Sequence, residues 1–320
     1  MDVSILLTED QLETDLIAHL RAGRIPEKYF YWSPLSAKAW LALCRSSAYR
    51  NYERSMSLIA REAEALAGLA AGASCWIGLG CGQADKDLLV LRALARGRAA
   101  HAVPAFLGVD SSLWLLERAL AAAAEEGIPA RGVKADIERA TDLTAAVDLA
   151  GGAARGAAVF ALLGNTLGAI DYREFLSNLE PLLRRDDLAL VDGEIYDADS
   201  VAGGYLNEDN RRFAVAPLRT IGLTEADGEL IFELRPDPGG LAGLHLLHKH
   251  FEVARDLVLT VGGEEIPLAR GSRLDMGHSC KYTPVAFTSL LERTGGLTVE
   301  RTFTSDDGRF LLAAARRHRV

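Results

Sequence analysis

Apolar positions in this chain first recur at helical spacing over residues 8–22 and again over roughly 36–70, with Thr8 and Ser36 placed as N-caps. Between them, Tyr29-Phe30-Tyr31-Trp32-Ser33-Pro34 is a dense aromatic segment ended by proline. From residue 74 the pattern changes to short apolar runs that alternate with longer amphipathic ones. Ser74 to Leu79, Ala105 to Val109, Ala130 to Lys134, Ala157 to Leu163 and Leu188 to Val191 are predicted strands. Asp85 to Arg98, Leu113 to Glu126 and Tyr172 to Leu183 are predicted helices. Such alternation implies a parallel sheet with right-handed crossovers, in which ligands sit beyond the carboxyl ends of the strands. Gly80, Asp110, Asp136 and Asn165 fall at those ends.

After Val191 the pattern changes again. Residues 194–225 read as mostly helical and polar. Residues 228–270 read as antiparallel strands, with turns at Asp237-Pro238-Gly239-Gly240 and Gly262-Gly263. A last helix is predicted over Pro284 to Arg293. Strands over Leu297 to Thr302 and Arg309 to Ala315 then form a terminal hairpin. The expected organisation is an α/β core from 66–193 and 284–320. Residues 1–65 and an insertion, 194–283, are expected to form a second, smaller α+β domain.

Composition changes this picture only by exclusion. Hydrophobic residues make up 49% of the 320, enough for a full core. A net charge of −9 argues against a nucleic-acid partner, because that affinity rests on Lys and Arg neutralising phosphates. The N-terminal stretch has acidic residues and no long apolar run, so neither a signal peptide nor a membrane span is expected. The four cysteines form no CxxC pair and read as free thiols in a reducing cytosol, which points to a cytoplasmic protein.

The chemistry concentrates at Ile77-Gly78-Leu79-Gly80-Cys81-Gly82-Gln83. Glycines there let the chain turn sharply and let a ligand touch backbone. Alone, this loop serves a dinucleotide equally well, or is simply a tight turn. Asp110 ends the next strand, where a carboxylate accepts hydrogen bonds from ribose hydroxyls. Asp136 ends the third and can accept from an adenine amino group. Each Asp also suits a helix N-cap. Two acids with no basic residue beside Asp110 fit a non-phosphorylated nucleoside better than NADP. The terminal hairpin follows the methyltransferase pattern rather than the dehydrogenase one, by fold-level analogy.

Together with Tyr29-Phe30-Tyr31, Lys86, Val109-Asp110-Ser111, Ala135-Asp136-Ile137-Glu138, Leu163 to Gly168 and Ser279-Cys280-Lys281-Tyr282, these segments resemble a known family. It is the histidine-specific, S-adenosylmethionine-dependent methyltransferase family of the ergothioneine pathway, and the resemblance spans nearly the whole chain in order. It implies a Rossmann-like, class I methyltransferase fold with a mixed seven-stranded sheet, and S-adenosylmethionine (SAM) as cofactor. It implies cofactor contacts at Gly78, Gly80, Gly82, Lys86, Asp110, Ser111, Asp136, Ile137, Gly164, Asn165 and Thr166. The family usually carries an acid at the position of Gly78, so one polar contact is expected to be missing.

The acceptor side departs further. Where the family holds the substrate with an Asn and grips the imidazole with a Glu, this chain has Ala169 and Gly277. A site loses discrimination when its polar partner is absent. The acceptor is therefore expected to be a small molecule other than histidine, either another amine or an amino acid derivative. Tyr29, Tyr31, Tyr205, His278, Ser279 and Tyr282 are the candidate acceptor-side residues. Each tyrosine equally suits a packed aromatic. His245, His248 and His250 invite a metal reading. In a strand, His248 and His250 share a face and His245 lies on the other. Surface or pocket-lining histidines are the expectation, and no metal is expected. Two rivals to an N-methyltransferase are a SAM-binding protein without turnover and a dehydrogenase.

Overall fold

The computed structural model describes residues 2–96, 103–152 and 155–318. Its N-terminal part holds β1 (Val3–Ile5), α1 (Glu9–Arg21), α2 (Tyr29–Trp32), α3 (Pro34–Cys44) and α4 (Asn51–Leu69). The alternating part follows: β2 (Cys75–Leu79), α5 (Asp85–Ala95), β3 (Ala105–Asp110), α6 (Leu113–Glu125), β4 (Ala130–Lys134), α7 (Ala140–Leu149), β5 (Ala158–Leu162), α8 (Tyr172–Leu179) and β6 (Leu188–Glu194). Next come α9 (Ala198–Tyr205), α10 (Glu208–Ala214), α11 (Ala216–Thr220), β7 (Gly228–Pro236), β8 (Leu244–Val253), β9 (Leu257–Val261), β10 (Glu264–Leu268) and β11 (Arg273–Tyr282). The chain ends with α12 (Pro284–Arg293), β12 (Leu297–Thr304) and β13 (Phe310–Arg317).

The main sheet has the order β1-β4-β3-β2-β5-β6-β13-β12. Strands β2 to β6 pair in parallel, and β13 runs antiparallel to both its neighbours. This is the class I methyltransferase arrangement with one strand more than the expected seven. Val3–Ile5 adds the eighth by pairing in parallel with Gly132–Lys134. Central strands β2 and β5 are buried along their whole length, which is why they read as continuous apolar runs. Two apolar clusters flank the sheet. One is built on Ile77, Phe160 and Leu143, the other on Trp76, Leu91 and α4 residues Leu58 and Leu66.

A third cluster joins Leu12, Leu16 and Phe30 of the N-terminal helices to Phe213, Leu247 and Phe251 of the 194–283 stretch. Here β11, β8 and β7 form an antiparallel sheet, and β9 and β10 a hairpin. Among the described residues, no helix is long and apolar enough to cross a membrane.

Several local expectations change. Thr8 does cap α1, in a reciprocal pair with Gln11. The run from 36 to 70 is two helices, and Ser33, not Ser36, caps the first: its Oγ accepts from Ser36 N–H at 3.1 Å. In the break after Cys44, Ser46 Oγ accepts from Ala48 N–H at 3.2 Å, a local bond of the kind that competes with helical bonding. The helix expected over Asp85 to Arg98 runs to Ala95, and Gly97 and Arg98 lie outside the described residues. Pro181 turns the end of the helix expected over Tyr172 to Leu183 into a single 3-10 turn. Helix α7, rich in Thr and Asp with only four buried positions, carries too little periodicity to be read from sequence.

Candidate active site

One cavity opens at the carboxyl ends of β2 to β5, under the N-terminal helices and the β8–β11 sheet. Its floor is the glycine loop. Gly80 and Gly82 take φ of +62° and +56°, which only glycine adopts without strain. Gly80 also has no room for a side chain, since a Cβ there would lie 2.9 Å from Thr166 Cγ2. The loop is therefore pressed against the Gly164–Thr166 turn. Asp110 locks it from the β3 side: Gly82 N–H and Ser112 N–H each donate to one carboxylate oxygen at 2.8 Å. Burial pushes the Asp110 carboxyl up, opposed by these amide bonds. Each oxygen keeps a lone pair for a ligand hydroxyl.

Gly78 lies beneath this floor and does not line the cavity. A Cβ there would sit 2.8 Å from Asp87 Oδ1 and 3.1 Å from the Phe106 ring. The side chain of Asp87, from the first turn of α5, thus fills the place of the acid that the resemblance leads one to expect at 78. Asp87 accepts from Trp76 Nε1 at 2.7 Å, and burial pushes its carboxyl up to about 7. Beside it, the Lys86 ammonium lies 4.5 Å from the Tyr52 ring centroid, with the Tyr52 hydroxyl bonded to Asp85.

Asp136 lines the far side of the floor with Ile137. Its Oδ2 is 2.8 Å from the ammonium of Lys28, which reaches down from the segment before α2 and also meets Asp15 at 3.0 Å. Lys28 is almost fully buried, so the N-terminal segment is tied to the sheet at this corner. Asn165, at φ +60°, donates from its backbone to Asp192 at 2.7 Å and from Nδ2 to Ser279 Oγ at 3.2 Å. That single residue bridges the turn after β5, strand β6 and strand β11.

At the opposite end, the wall is a buried polar network. Lys281 Nζ meets Glu194 Oε2 at 2.7 Å and donates to Tyr205 OH at 2.8 Å and to Ser279 Oγ. Tyr205 OH donates to Glu194 at 2.9 Å, and Asn51 Nδ2 donates to the same oxygen at 2.6 Å. Burial lowers the Lys281 ammonium, opposed by Glu194, and raises the Tyr205 hydroxyl well above its ordinary range. A buried charge survives only when paired and hydrogen-bonded, as here.

Above this wall, Tyr31, Trp40 and Phe213 line the cavity with ring centroids within 5.8 Å of one another; Tyr31 meets Trp40 edge to face, and Phe213 is tilted against both. Ala169 lines it too. Gly277, at φ +79°, has open space at its Cβ position except for Glu27 Oε2, 3.8 Å away. Glu27 is held by Tyr31 OH at 3.2 Å and by Lys249 Nζ at 3.3 Å, and both charged side chains are about nine-tenths buried. Lys249 Nζ also lies 4.1 Å from the Phe30 ring centroid. A carboxylate from the N-terminal segment thus stands near position 277, bonded to Tyr31 and Lys249.

Of the expected acceptor-side residues, Tyr31, Tyr205, His278 and Ser279 come together on the cavity. Burial, with Lys249 and His248 nearby, pushes His278 down to about 4. Tyr29 and Tyr282 do not join them. Tyr29 OH donates to Leu12 O at 2.9 Å, which ties α2 to α1. Tyr282 packs on Phe287 inside the main core, at 5.0 Å between ring centroids. Of the expected cofactor contacts, all but Gly78 line the cavity. Sequence reasoning missed Glu27, Lys28, Asn51, Asp87, Glu194, Lys249 and Lys281. Only Lys281 carried a signal, as part of the Ser-Cys-Lys-Tyr segment.

A family model described as histidine-specific methyltransferase, SAM-dependent, matches residues 12–209. Among curated proteins, none matches this sequence. Among solved structures, a SAM-dependent methyltransferase from Clostridium acetobutylicum is 11% identical, with 84% of this chain and 92% of that one covered and a TM-score of 0.42. The mitomycin 7-O-methyltransferase MmcR is 14% identical, with 97% and 69% covered and a TM-score of 0.44. The glycopeptide N-methyltransferase MtfA in complex with SAM is 14% identical, with 81% and 93% covered and a TM-score of 0.39.

Proposed function

The chain belongs to the histidine-specific, SAM-dependent methyltransferase family, and from that premise we propose that it N-methylates a small amine or amino acid-like acceptor other than histidine. The residues fit the cofactor on their own chemistry. Six carboxyl groups (Glu27, Asp85, Asp87, Asp110, Asp136 and Glu138) and three lysines (Lys28, Lys86 and Lys249) line the cavity, an acidic balance suited to a cationic, phosphate-free ligand. The crowded contact of Gly80 with Thr166 brings two backbone turns close enough to flank one ligand.

When bound, SAM supplies an electrophilic methyl group on a sulfonium that serves as its own leaving group. The chain's residues bind and align. Asp110 would accept from the ribose hydroxyls with the lone pairs that Gly82 and Ser112 leave free. Asp136 would accept from the adenine amine, with Lys28 holding its Oδ2. Asp87, in the place an acid at 78 would have taken, lines the cavity and would accept from the ammonium of the methionine moiety. Positioning the nucleophile in line with the methyl then provides most of the acceleration.

The observation that carries the acceptor reading is the pair Glu27–Lys249 beside Gly277 and Ala169. A carboxylate and an ammonium side by side match an acceptor bearing an amine and a carboxylate. Glu27 would accept from the amine N–H groups and so orient the nitrogen lone pair of the acceptor for attack on the methyl, with the C–S bond of the sulfonium breaking as the N–C bond forms. Lys249 receives the acceptor carboxylate. The faces of Tyr31, Trp40 and Phe213 favour a cationic head, including the ammonium formed by methylation. Without the family's Asn and Glu, an imidazole loses two directed contacts.

The test is a panel of amines and amino acids, histidine included, incubated with enzyme and SAM and read by mass spectrometry for added methyl groups. An amino acid other than histidine is expected to give the highest kcat/KM. Histidine as the preferred acceptor would overturn the acceptor assignment. S-adenosylhomocysteine binding with no product across the panel would favour a binding protein without turnover.

A further inference from the structure

On the face of β8 turned away from Lys249, the two neighbouring histidines find a third partner. Residues on either side of a strand position point to the opposite face, so His248 and His250 share one face. Strand β7 pairs in register with β8 such that Glu233 lies directly opposite His248. One ligand atom from each of Glu233, His248 and His250 lies within 4.8 Å of the other two. His245, the remaining histidine of the run, is elsewhere, stacked on Tyr196 with ring centroids 3.9 Å apart.

We propose that Glu233, His248 and His250 form a binding site for a divalent transition-metal ion, with zinc the best match. His250 is 3% exposed, and its Nε2 has no hydrogen-bond partner among the described residues. His248 is oriented by Asp275, whose Oδ1 lies 3.0 Å from Nε2, and its buried Nδ1 also lacks a partner. Buried nitrogens are rarely left unsatisfied. Two here, on one face beside a carboxylate, are what a metal would complete. A ring nitrogen held by a carboxylate while the other faces the metal is the usual second contact of a histidine ligand. Two imidazoles and one carboxylate, with water in the remaining position, suit zinc in preference to magnesium or calcium. The site would clamp β7 to β8, with Asp275 drawing in β11. It would thereby stiffen the strand that presents Lys249 to the cavity.

The experiment uses the full-length protein, stripped with a chelator and titrated with zinc in competition with a chromophoric chelator. Cobalt substitution provides the spectroscopic signature. One zinc per chain is expected, with a cobalt spectrum of nitrogen and oxygen ligation. Glu233→Gln, an exposed position that is safe for folding, is expected to weaken zinc about tenfold or more. Asp275→Asn is expected to weaken it about tenfold by releasing the His248 ring. His250→Ala is expected to abolish stoichiometric binding. S-adenosylhomocysteine affinity of the Glu233→Gln protein should match wild type. The proposal is overturned if the stripped protein takes up no zinc. It is equally overturned if uptake is undiminished in Glu233→Gln, or if the cobalt spectrum shows thiolate charge transfer from a cysteine site.

Discussion

One end of the cavity is shaped by backbone turns; the other is walled by long side chains. The cofactor end is set by two glycine turns, by Asp110 bonded to two amides, and by strand ends whose register is fixed by the parallel sheet. The end proposed for the acceptor is assembled from Glu27, Tyr31, Tyr205, Phe213, Lys249, Ser279 and Lys281, spread over most of the chain. Both ends carry a glycine at a position where the family has an acid. At both, a carboxylate from another segment stands nearby: Asp87 at Gly78 and Glu27 at Gly277. The difference lies in what surrounds the substitution. Asp87 sits against Gly78 in a packed, hydrogen-bonded place and preserves the local shape. Glu27 is held by Tyr31 and Lys249, 3.8 Å from where a Cβ at 277 would lie, so it stands near that position without filling it.

The largest expected effect tests the cofactor end. Asp110→Ala removes an anchor of the glycine loop and two acceptors for ribose, and should weaken S-adenosylhomocysteine about 100-fold or more by calorimetry. Near-normal binding would break the comparison at its firmer end. The next effect tests the acceptor end. Glu27→Gln should lower kcat/KM for the preferred acceptor about 10- to 100-fold, the worth of a hydrogen bond to a charged group, while cofactor affinity stays within about twofold. An equal loss in both measurements would mean that Glu27 holds the N-terminal segment over the whole cavity rather than gripping the acceptor.

This contrast also explains what sequence could and could not reveal. The placement of the glycine loop, Asp110 and Asp136 on one cavity was legible because strand, turn and helix follow one another within a few residues, and their periodicity shows where each carboxylate falls. The acceptor end depends on tertiary packing. Lys249 reads as one polar residue in an alternating strand, and only the β8 pairing turns it inward. Glu27 and Lys28 lie in a loop with no pattern, and their meaning depends on which elements they meet. Tyr29 and Tyr282 were read as acceptor candidates from their motifs, yet packing uses them for structure. Strands β1 and β11 escaped notice for a related reason: three residues are too few for a period, and the shift between Asp275 and His278 interrupts the alternation.

Asp87→Asn sharpens the cofactor side by setting stability against function. The Asp87 carboxyl titrates near 7 in the fold, against about 4 in an unfolded chain. Between those values the folded state holds a proton that the unfolded state has lost. The stability this proton brings is therefore full below about pH 4, declines as pH rises, and is gone above about pH 7. Asparagine cannot titrate and still accepts from Trp76 Nε1. Melting temperatures of variant and wild type should diverge in the variant's favour across that window and run parallel above it. S-adenosylhomocysteine affinity should fall about tenfold. A variant that is more stable at pH 8 yet binds less cofactor would mark the buried acid as retained for its ligand. Unchanged affinity would assign Asp87 to packing alone.

Tyr29→Phe carries the smallest effect and separates motif from site. The hydroxyl of Tyr29 makes one buried bond, to Leu12 O, between α2 and α1. Its ring lies against Trp32 and His19 rather than on the cavity. Phenylalanine keeps that ring packing and removes one buried hydrogen bond to a carbonyl that keeps its helical partner, a loss of about 1 kcal/mol. That corresponds to a fall of roughly 2 °C in Tm for a chain of this size. Methyl transfer, with saturating cofactor and the preferred acceptor, should stay within about twofold of wild type in both kcat and KM. Tyr31→Phe is the matched control. It removes a hydrogen bond to Glu27 inside the chamber, so it should raise KM for the acceptor while leaving the α1–α2 contact intact. If Tyr29→Phe instead depressed kcat without moving Tm, the aromatic segment would act in transfer as a unit. The boundary drawn between packing and acceptor residues would then fall on the other side of α2.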